Sequence, residues 1–183
     1  MSDVIKMKWH LNNAFKDRSP KKCITFHDGD FYIKDDEKSG CEALLLETVS
    51  DTDSLFHIIN PNLKQIALFK VDKCFFGSKP DHKRCDCIVF DDVFFCFLEL
   101  KYDSVSDLAI TVLANRLDAV NQLRATAKFF KAGLNDNYLG RNLEAYVCTP
   151  NFYPDKGTWL DEYVLEFIED YGINIFETND KTF

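Results

Sequence analysis

Val93 to Leu98, VFFCFL, is apolar at every position, so an extended strand over it must be covered on both faces. Such a strand belongs in the middle of a sheet. Cys85 to Phe90 is a second strand-like run just upstream, and only Asp91-Asp92 separates the two, as a tight hairpin requires. Gln65 to Phe76 reads as a third strand, followed by a loop over Gly77 to Lys83. Downstream, Ser104 and Asp107 offer caps for a helix that runs to about Lys131 and stops at Gly133. Leu113, Leu117, Val120, Leu123, Ala127 and Phe130 recur at steps of three or four and form its core-facing stripe. Leu143 to Cys148 is a further strand ended by Pro150, Tyr163 to Tyr171 a second helix, and Ile173 to Glu177 a last edge strand. The order from residue 65 is β-β-β-α-β, then α-β. The expected class is α/β (α+β), a mixed central sheet flanked by helices.

The first 64 residues form an extension to this core. Residues 1–19 suggest a short helix or arm ended by Pro20. Cys23 to Ile33 alternates around Asp28-Gly29, a hairpin signal. Residues 34–40 suit a solvated loop, and Cys41 to Val49 satisfies both helix and strand. With 183 residues the chain is expected to be one domain, 1–183, built as extension 1–64, core 65–150 and C-terminal helix and edge strand 151–183. No apolar run approaches the ~18 residues of a membrane span. The opening MSDVIKMKWH lacks the apolar stretch of a signal peptide, so a cytoplasmic protein without a membrane partner is expected. Seven cysteines, three of them (Cys87, Cys96, Cys148) inside strand-like runs, fit reduced buried thiols better than a disulfide framework.

The chemistry gathers where the apolar strand ends. Glu99 and Lys101 are two apart, so they emerge on one face, roughly 7 Å apart along the strand. A carboxylate and an amine at the end of so apolar a strand cost free energy unless they are paired or bind something. A hairpin brings Asp86 beside them. Two carboxylates and a lysine on adjacent strands form a minimal site for a hard divalent cation and phosphate-ester hydrolysis. The net charge of −8 argues against tight, unassisted, non-specific nucleic-acid binding. It leaves room for a nuclease, because bound Mg²⁺ offsets its carboxylates locally and a protein partner can supply basic surface.

The element order, with Asp86 and Glu99-Leu100-Lys101 where they stand, resembles the PD-(D/E)xK nuclease superfamily, the restriction-endonuclease-like fold, over roughly residues 65–150. The family's acidic residue falls on Asp86 and its (D/E)xK element on Glu99 and Lys101. Pro80-Asp81 also matches the letters of the family's "PD", but it sits in a loop, whereas Asp86 opens a strand. The resemblance implies an Mg²⁺- or Mn²⁺-dependent endonuclease acting on DNA rather than RNA, in a defence, repair or mobile-element system. The metal would be held by Asp86, Glu99 and the Leu100 backbone carbonyl. Some members add a Glu from upstream, for which Glu47 and Glu42 are the candidates, and a Gln on the following helix, here Gln122. Lys101 would position the attacking water or stabilise charge on the phosphate.

Arg124, Lys128 and Lys131 fall within ~60° of one another on the helix and are candidate contacts to a nucleic-acid backbone, against the plainer reading of a solvated helix edge. Arg116, near the apolar side, would reach the site or an internal acid. Two other functions compete with the nuclease: a catalytically inactive interaction module on the same fold, and a zinc-stabilised binding protein using Cys74, His82, Cys85 and Cys87. His10, His27 and His57 read as ordinary surface or core residues. Oligomeric state is open, a dimer included.

Overall fold

The computed structural model describes residues 2–36, 40–45, 54–77, 83–102, 106–154 and 158–183. In chain order the elements are helix α1 (Asp3–Ala14), strands β1 (Ile24–Asp28), β2 (Phe31–Asp36), β3 (Gly40–Leu45), β4 (Phe56–Ile59) and β5 (Gln65–Lys70), then β6 (Cys87–Phe90) and β7 (Phe94–Leu100). After these come α2 (Ala109–Leu134), β8 (Asn142–Cys148), α3 (Asp161–Tyr171), β9 (Ile173–Glu177) and β10 (Asp180–Thr182). A six-stranded sheet runs β1-β5-β6-β7-β8-β9 and a four-stranded sheet runs β10-β4-β2-β3. In the larger sheet β1, β5, β6 and β7 are antiparallel neighbours, while β7, β8 and β9 are parallel. The doubly apolar strand is therefore central, and β9 is the expected edge.

Alternation along β7 sends Phe95 and Phe97 to one core and Cys96, Leu98 and Leu100 to another. The first core holds α1, α2 and α3 through Met7, Leu11, Leu123, Phe130 and Phe167. The second is filled from the smaller sheet by Phe31, Ile33, Phe56 and Ile58. The mixed α+β class holds. The helices, however, lie on one face of the large sheet, and a sheet instead of helices covers the other.

That second sheet explains why no hairpin forms over Cys23 to Ile33. β1 pairs with β5, whereas β2 pairs with β3 and β4. The buried Asn60 holds the crossing between sheets. Its N–H donates to Asp30 Oδ1 at 2.7 Å, and its amide donates to the carbonyls of Gly29 and Lys64 at 3.4 and 2.8 Å. Of Cys41 to Val49, the described residues 41–45 lie in strand β3, Gly40–Leu45. The Gln65 strand stops at Lys70, and Val71–Phe76 coils into a π-helical turn. Both Val71 and Asp72 N–H donate to Asp86 O there, which ends the ladder.

Helix α2 starts at Ala109, after the extended Leu108, so Asp107 is no cap; Ser104 lies outside the described residues. It runs through Gly133 and ends at Asn135 in the left-handed conformation. Gly133 is there for space: a Cβ would stand 2.2 Å from the Phe15 ring. Leu113, assigned to the buried stripe, is 46% exposed, and Val112 and Arg116 are buried in its place. The cysteine expectation is corrected in part. Cys23 and Cys74 are disulfide-bonded, while the five others are free and buried. The two bonded residues are 51 apart in sequence, on β1's threshold and in the π-helical turn, a proximity without a local signal. No helix among the described residues is long and apolar enough to cross a membrane.

Candidate active site

Alternation continues past Phe97, so Glu99 points to the helical side at the carboxyl end of β7. Glu99 is 2% exposed, and its Oε1 accepts from Lys101 Nζ at 2.8 Å. Its Oε2 is buried with no hydrogen-bond donor among the described residues. Asp86 sits at the bend just before β6, partly buried, where Leu100 N–H donates to its Oδ2 at 2.6 Å. In an extended strand the N–H and C=O of one residue point to the same edge. The Leu100 carbonyl is thus turned to the β6 side along with its N–H.

Burial pushes the Glu99 carboxyl well above the usual range, and the neighbouring Asp86 charge adds to this; Lys101 only partly offsets them. Burial likewise lifts Asp86 to about 7, against the Leu100 hydrogen bond, with Asp35 and Asp72 adding repulsion. Two adjacent acids in little solvent cannot both ionise cheaply, which is the electrostatic signature of a place that favours a bound cation.

Lys101 is the hub. Burial works to depress its ammonium, but Glu99 and Asp118 outweigh it and hold the pKa above the ordinary lysine value. Asp118, on α2, accepts from Lys101 Nζ at 3.0 Å, Gln122 Nε2 at 2.8 Å and Lys83 Nζ at 3.3 Å. Burial would raise the Asp118 carboxyl; these donors win and hold it below its usual value. One turn on from Gln122, Thr126 Oγ1 accepts from Cys85 N at 2.7 Å, securing the start of β6. Asp118, Gln122 and Thr126 thus form one polar seam at i, i+4 and i+8 that faces the strand ends. The sequence reading missed Asp118, although its spacing of four from Gln122 was the available signal. Asp35, carried in from β2 of the other sheet, had none.

Asp86, Glu99, Lys101 and the Leu100 main chain therefore converge. Gln122 joins only through Asp118. Glu42 is exposed on β3, while Glu47, Pro80, Asp81 and His82 lie outside the described residues. Two of the three proposed helix cations are turned elsewhere. Arg124 forks onto Glu166 of α3, Nε to Oε1 at 2.5 Å and Nη2 to Oε2 at 2.8 Å, and Lys131 donates to Asp170 O at 2.6 Å. Lys128 is exposed. Arg116 reaches an internal acid, Glu177, at 2.9 Å. The zinc set is dismantled: Cys74 is in the disulfide, and Cys85 and Cys87 belong to cores on opposite faces of the sheet.

Among the described residues no group of three or more His, Cys, Asp and Glu side chains forms a metal cage. The pair Asp86 and Glu99 still fits Mg²⁺, which keeps several waters and commonly takes only one or two carboxylates from the protein. The unpartnered Glu99 Oε2 is the oxygen such an ion would use. Compared with family models, curated proteins and solved structures, the chain matches none.

Proposed function

We propose that this protein is a metal-dependent nuclease of the PD-(D/E)xK type, hydrolysing phosphodiester bonds in nucleic acid, DNA rather than RNA. The observation that carries the reading is the partnerless Glu99 Oε2, buried beside Asp86 and next to an ammonium held on two carboxylates. An ordinary ion pair does not keep a second acid beside it and an orphaned oxygen inside it.

Asp86 and Glu99, with the Leu100 carbonyl, would hold Mg²⁺ or Mn²⁺. When bound, the ion supplies a Lewis acid for the phosphoryl oxygen and a water of lowered pKa. The chain's own residues do the rest. Lys101, kept protonated by Glu99 and Asp118, presents N–H donors where negative charge grows on the phosphate. Asp118, braced by Gln122 and Lys83, fixes the ammonium's direction. The floor of the site is strand ends rather than a loop, which limits motion of the reacting groups.

With Arg124 and Lys131 committed to α3 and Lys83 to Asp118, backbone-binding charge falls to Lys128 and a partner's basic surface. The setting proposed is cytoplasmic, in a defence, repair or mobile-element system; five free buried thiols support a reducing compartment and the single disulfide weighs against it. The competing reading is a module that binds without cutting, favoured by the engagement of Lys101 with both Glu99 and Asp118.

The test is cleavage of single- and double-stranded DNA and RNA with Mg²⁺ or Mn²⁺, with calorimetry of metal binding. Glu99→Ala and Lys101→Ala are expected to lose at least a hundredfold in rate while remaining folded, and Glu99→Ala to lose the metal. Absence of both cleavage and metal binding in the wild type would sink the enzyme and leave the binding module.

A further inference from the structure

Residues 16–22, KDRSPKK, hold four cations and one acid in a chain whose net charge is −8. They form two successive 3₁₀ turns, Lys16–Arg18 and Pro20–Lys22, between α1 and β1. Lys16, Arg18, Lys21 and Lys22 are all exposed, and among the described residues none of them meets a carboxylate. Elsewhere the cations are largely spent on acids: Lys6, Lys64, Arg116, Arg124 and Lys181 each meet an Asp or Glu. Four neighbouring cations left unpaired make a local positive field on an acidic protein.

The corner is held in shape before any ligand arrives. The Arg18 guanidinium lies 5.6, 4.8 and 5.4 Å from the ring centres of Phe75, Phe76 and Phe129. A guanidinium resting on rings keeps a planar fork of N–H donors, the shape that matches phosphate oxygens. Lys21 N–H donates to Asn12 Oδ1 at 2.7 Å, and Lys22 N–H to Ser19 O at 3.1 Å. Cys23, the next residue, is disulfide-bonded to Cys74.

Its place in the sheet links it to the acidic site. β1, β5, β6 and β7 are antiparallel neighbours, so the start of β1, the end of β5, the start of β6 and the end of β7 lie at one end of the sheet. Main-chain hydrogen bonds trace the row. Lys70 N–H donates to Cys23 O at 2.9 Å, Val71 N–H to Asp86 O at 3.0 Å, and Asp86 N–H to Leu98 O at 3.1 Å. In the order β1-β5-β6-β7 the corner stands three strand steps from the strand of Glu99. At ~5 Å per step that is roughly 15 Å. A nucleic-acid strand carries one phosphate per ~3.4 Å, so the separation is about four nucleotides.

We propose that Lys16, Arg18, Lys21 and Lys22 grip the sugar-phosphate backbone of the nucleic-acid substrate about four nucleotides from the bond held at Glu99 and Lys101. The inference rests on the nuclease reading and adds the path of the substrate, along the sheet end from β7 towards β1. Contacts of this kind set register and carry no base preference, so binding through the corner is sequence-independent and salt-dependent.

The probe is a fluorescent DNA strand of about 20 nucleotides, titrated in Ca²⁺ over a range of salt. Wild type is compared with the double variant Lys21→Ala, Lys22→Ala, with Arg18→Ala, and with Lys34→Ala, an exposed lysine on β2 of the other sheet. Expected in the double variant are a tenfold or greater loss of affinity at ~0.1 M salt and a salt slope smaller by about 1–2, with Lys34→Ala close to wild type. In Mg²⁺ the double variant should raise KM tenfold and leave kcat within twofold, because the contact holds substrate and transition state alike. Strands trimmed to fewer than about four nucleotides on the corner's side of the cut should bind wild type as weakly as the double variant. Lys21 and Lys22 are exposed, so their variant tests the corner even where Arg18→Ala fails to fold. Affinity and slope unchanged in the double variant, or lowered equally in Lys34→Ala, overturns the proposal. Binding to phosphatidylserine vesicles without binding to DNA overturns it in favour of a membrane contact. Glu99-dependent cleavage with KM unchanged in the double variant leaves the nuclease and removes the corner's role. DNA binding lost in the double variant, without cleavage or metal binding by wild type, keeps the corner and removes the nuclease.

Discussion

Asp86 is the residue whose chemistry can be read from stability alone. Its carboxyl titrates near 7 in the fold against an ordinary 3.8, because burial disfavours the charge. Between those values the folded protein binds more protons than the unfolded chain, so stability falls as pH rises through the window. Asp86→Asn removes the fall. Thermal or urea unfolding at pH 8 is expected to show the variant more stable by on the order of 2 kcal/mol, an amount reduced for partial exposure. Near pH 4 the two proteins should coincide. The same protons compete with a metal. Mg²⁺ affinity measured by calorimetry is expected to tighten from pH 6 to pH 8, with proton release visible in buffers of different ionisation enthalpy, and the pH dependence should flatten in Asp86→Asn. An unchanged affinity across that range would show that Asp86 is no ligand.

Among the elements, α2 carries the most. Its apolar side seals the larger sheet, its seam of Asp118, Gln122 and Thr126 aligns the strand ends, and Arg116 anchors β9. The close approach of α1's end to α2 depends on Gly133, where a methyl group would overlap Phe15. Gly133→Ala improves helix propensity by about 1 kcal/mol. Overpacking is expected to dominate, giving a net loss of about 1–3 kcal/mol in chemical denaturation. A more stable Gly133→Ala would mean that Phe15 moves aside without cost. The strand trio and α2 were legible from sequence because alternation and the 3.6-residue stripe are local signals. Leu113 misled because the buried side of the helix passes there through Val112 and Arg116, which leaves Leu113 off that face. The turn at Val71–Phe76 was hidden, since its residues are as strand-prone as those before it and only the carbonyl of Asp86 decides where pairing stops.

At the scale of the molecule, the disulfide between Cys23 and Cys74 ties β1 to the turn that supports Asp86. Closing a loop of 51 residues removes unfolded-state entropy. Cys74→Ser is expected to lower unfolding stability by about 2–4 kcal/mol, and a thiol reductant to do the same to the wild type but nothing to the variant. Equal stability of variant and wild type would show that the bond contributes nothing.

What the sequence determined by itself was the run of elements from Gln65 to Cys148 and the meeting of Asp86, Glu99 and Lys101. Each depends on side-chain alternation and short connections, which act over a few residues. Tertiary structure alone decided the rest: a second sheet in place of a helical layer, Cys23 on Cys74, Asp118 beneath Lys101, Asp35 near Asp86, and Arg124 on Glu166 instead of facing solvent. Those partners are 17 to 51 residues apart in sequence. Proximity over such separations comes from how whole layers bury their faces against each other, and no local pattern of residues encodes it.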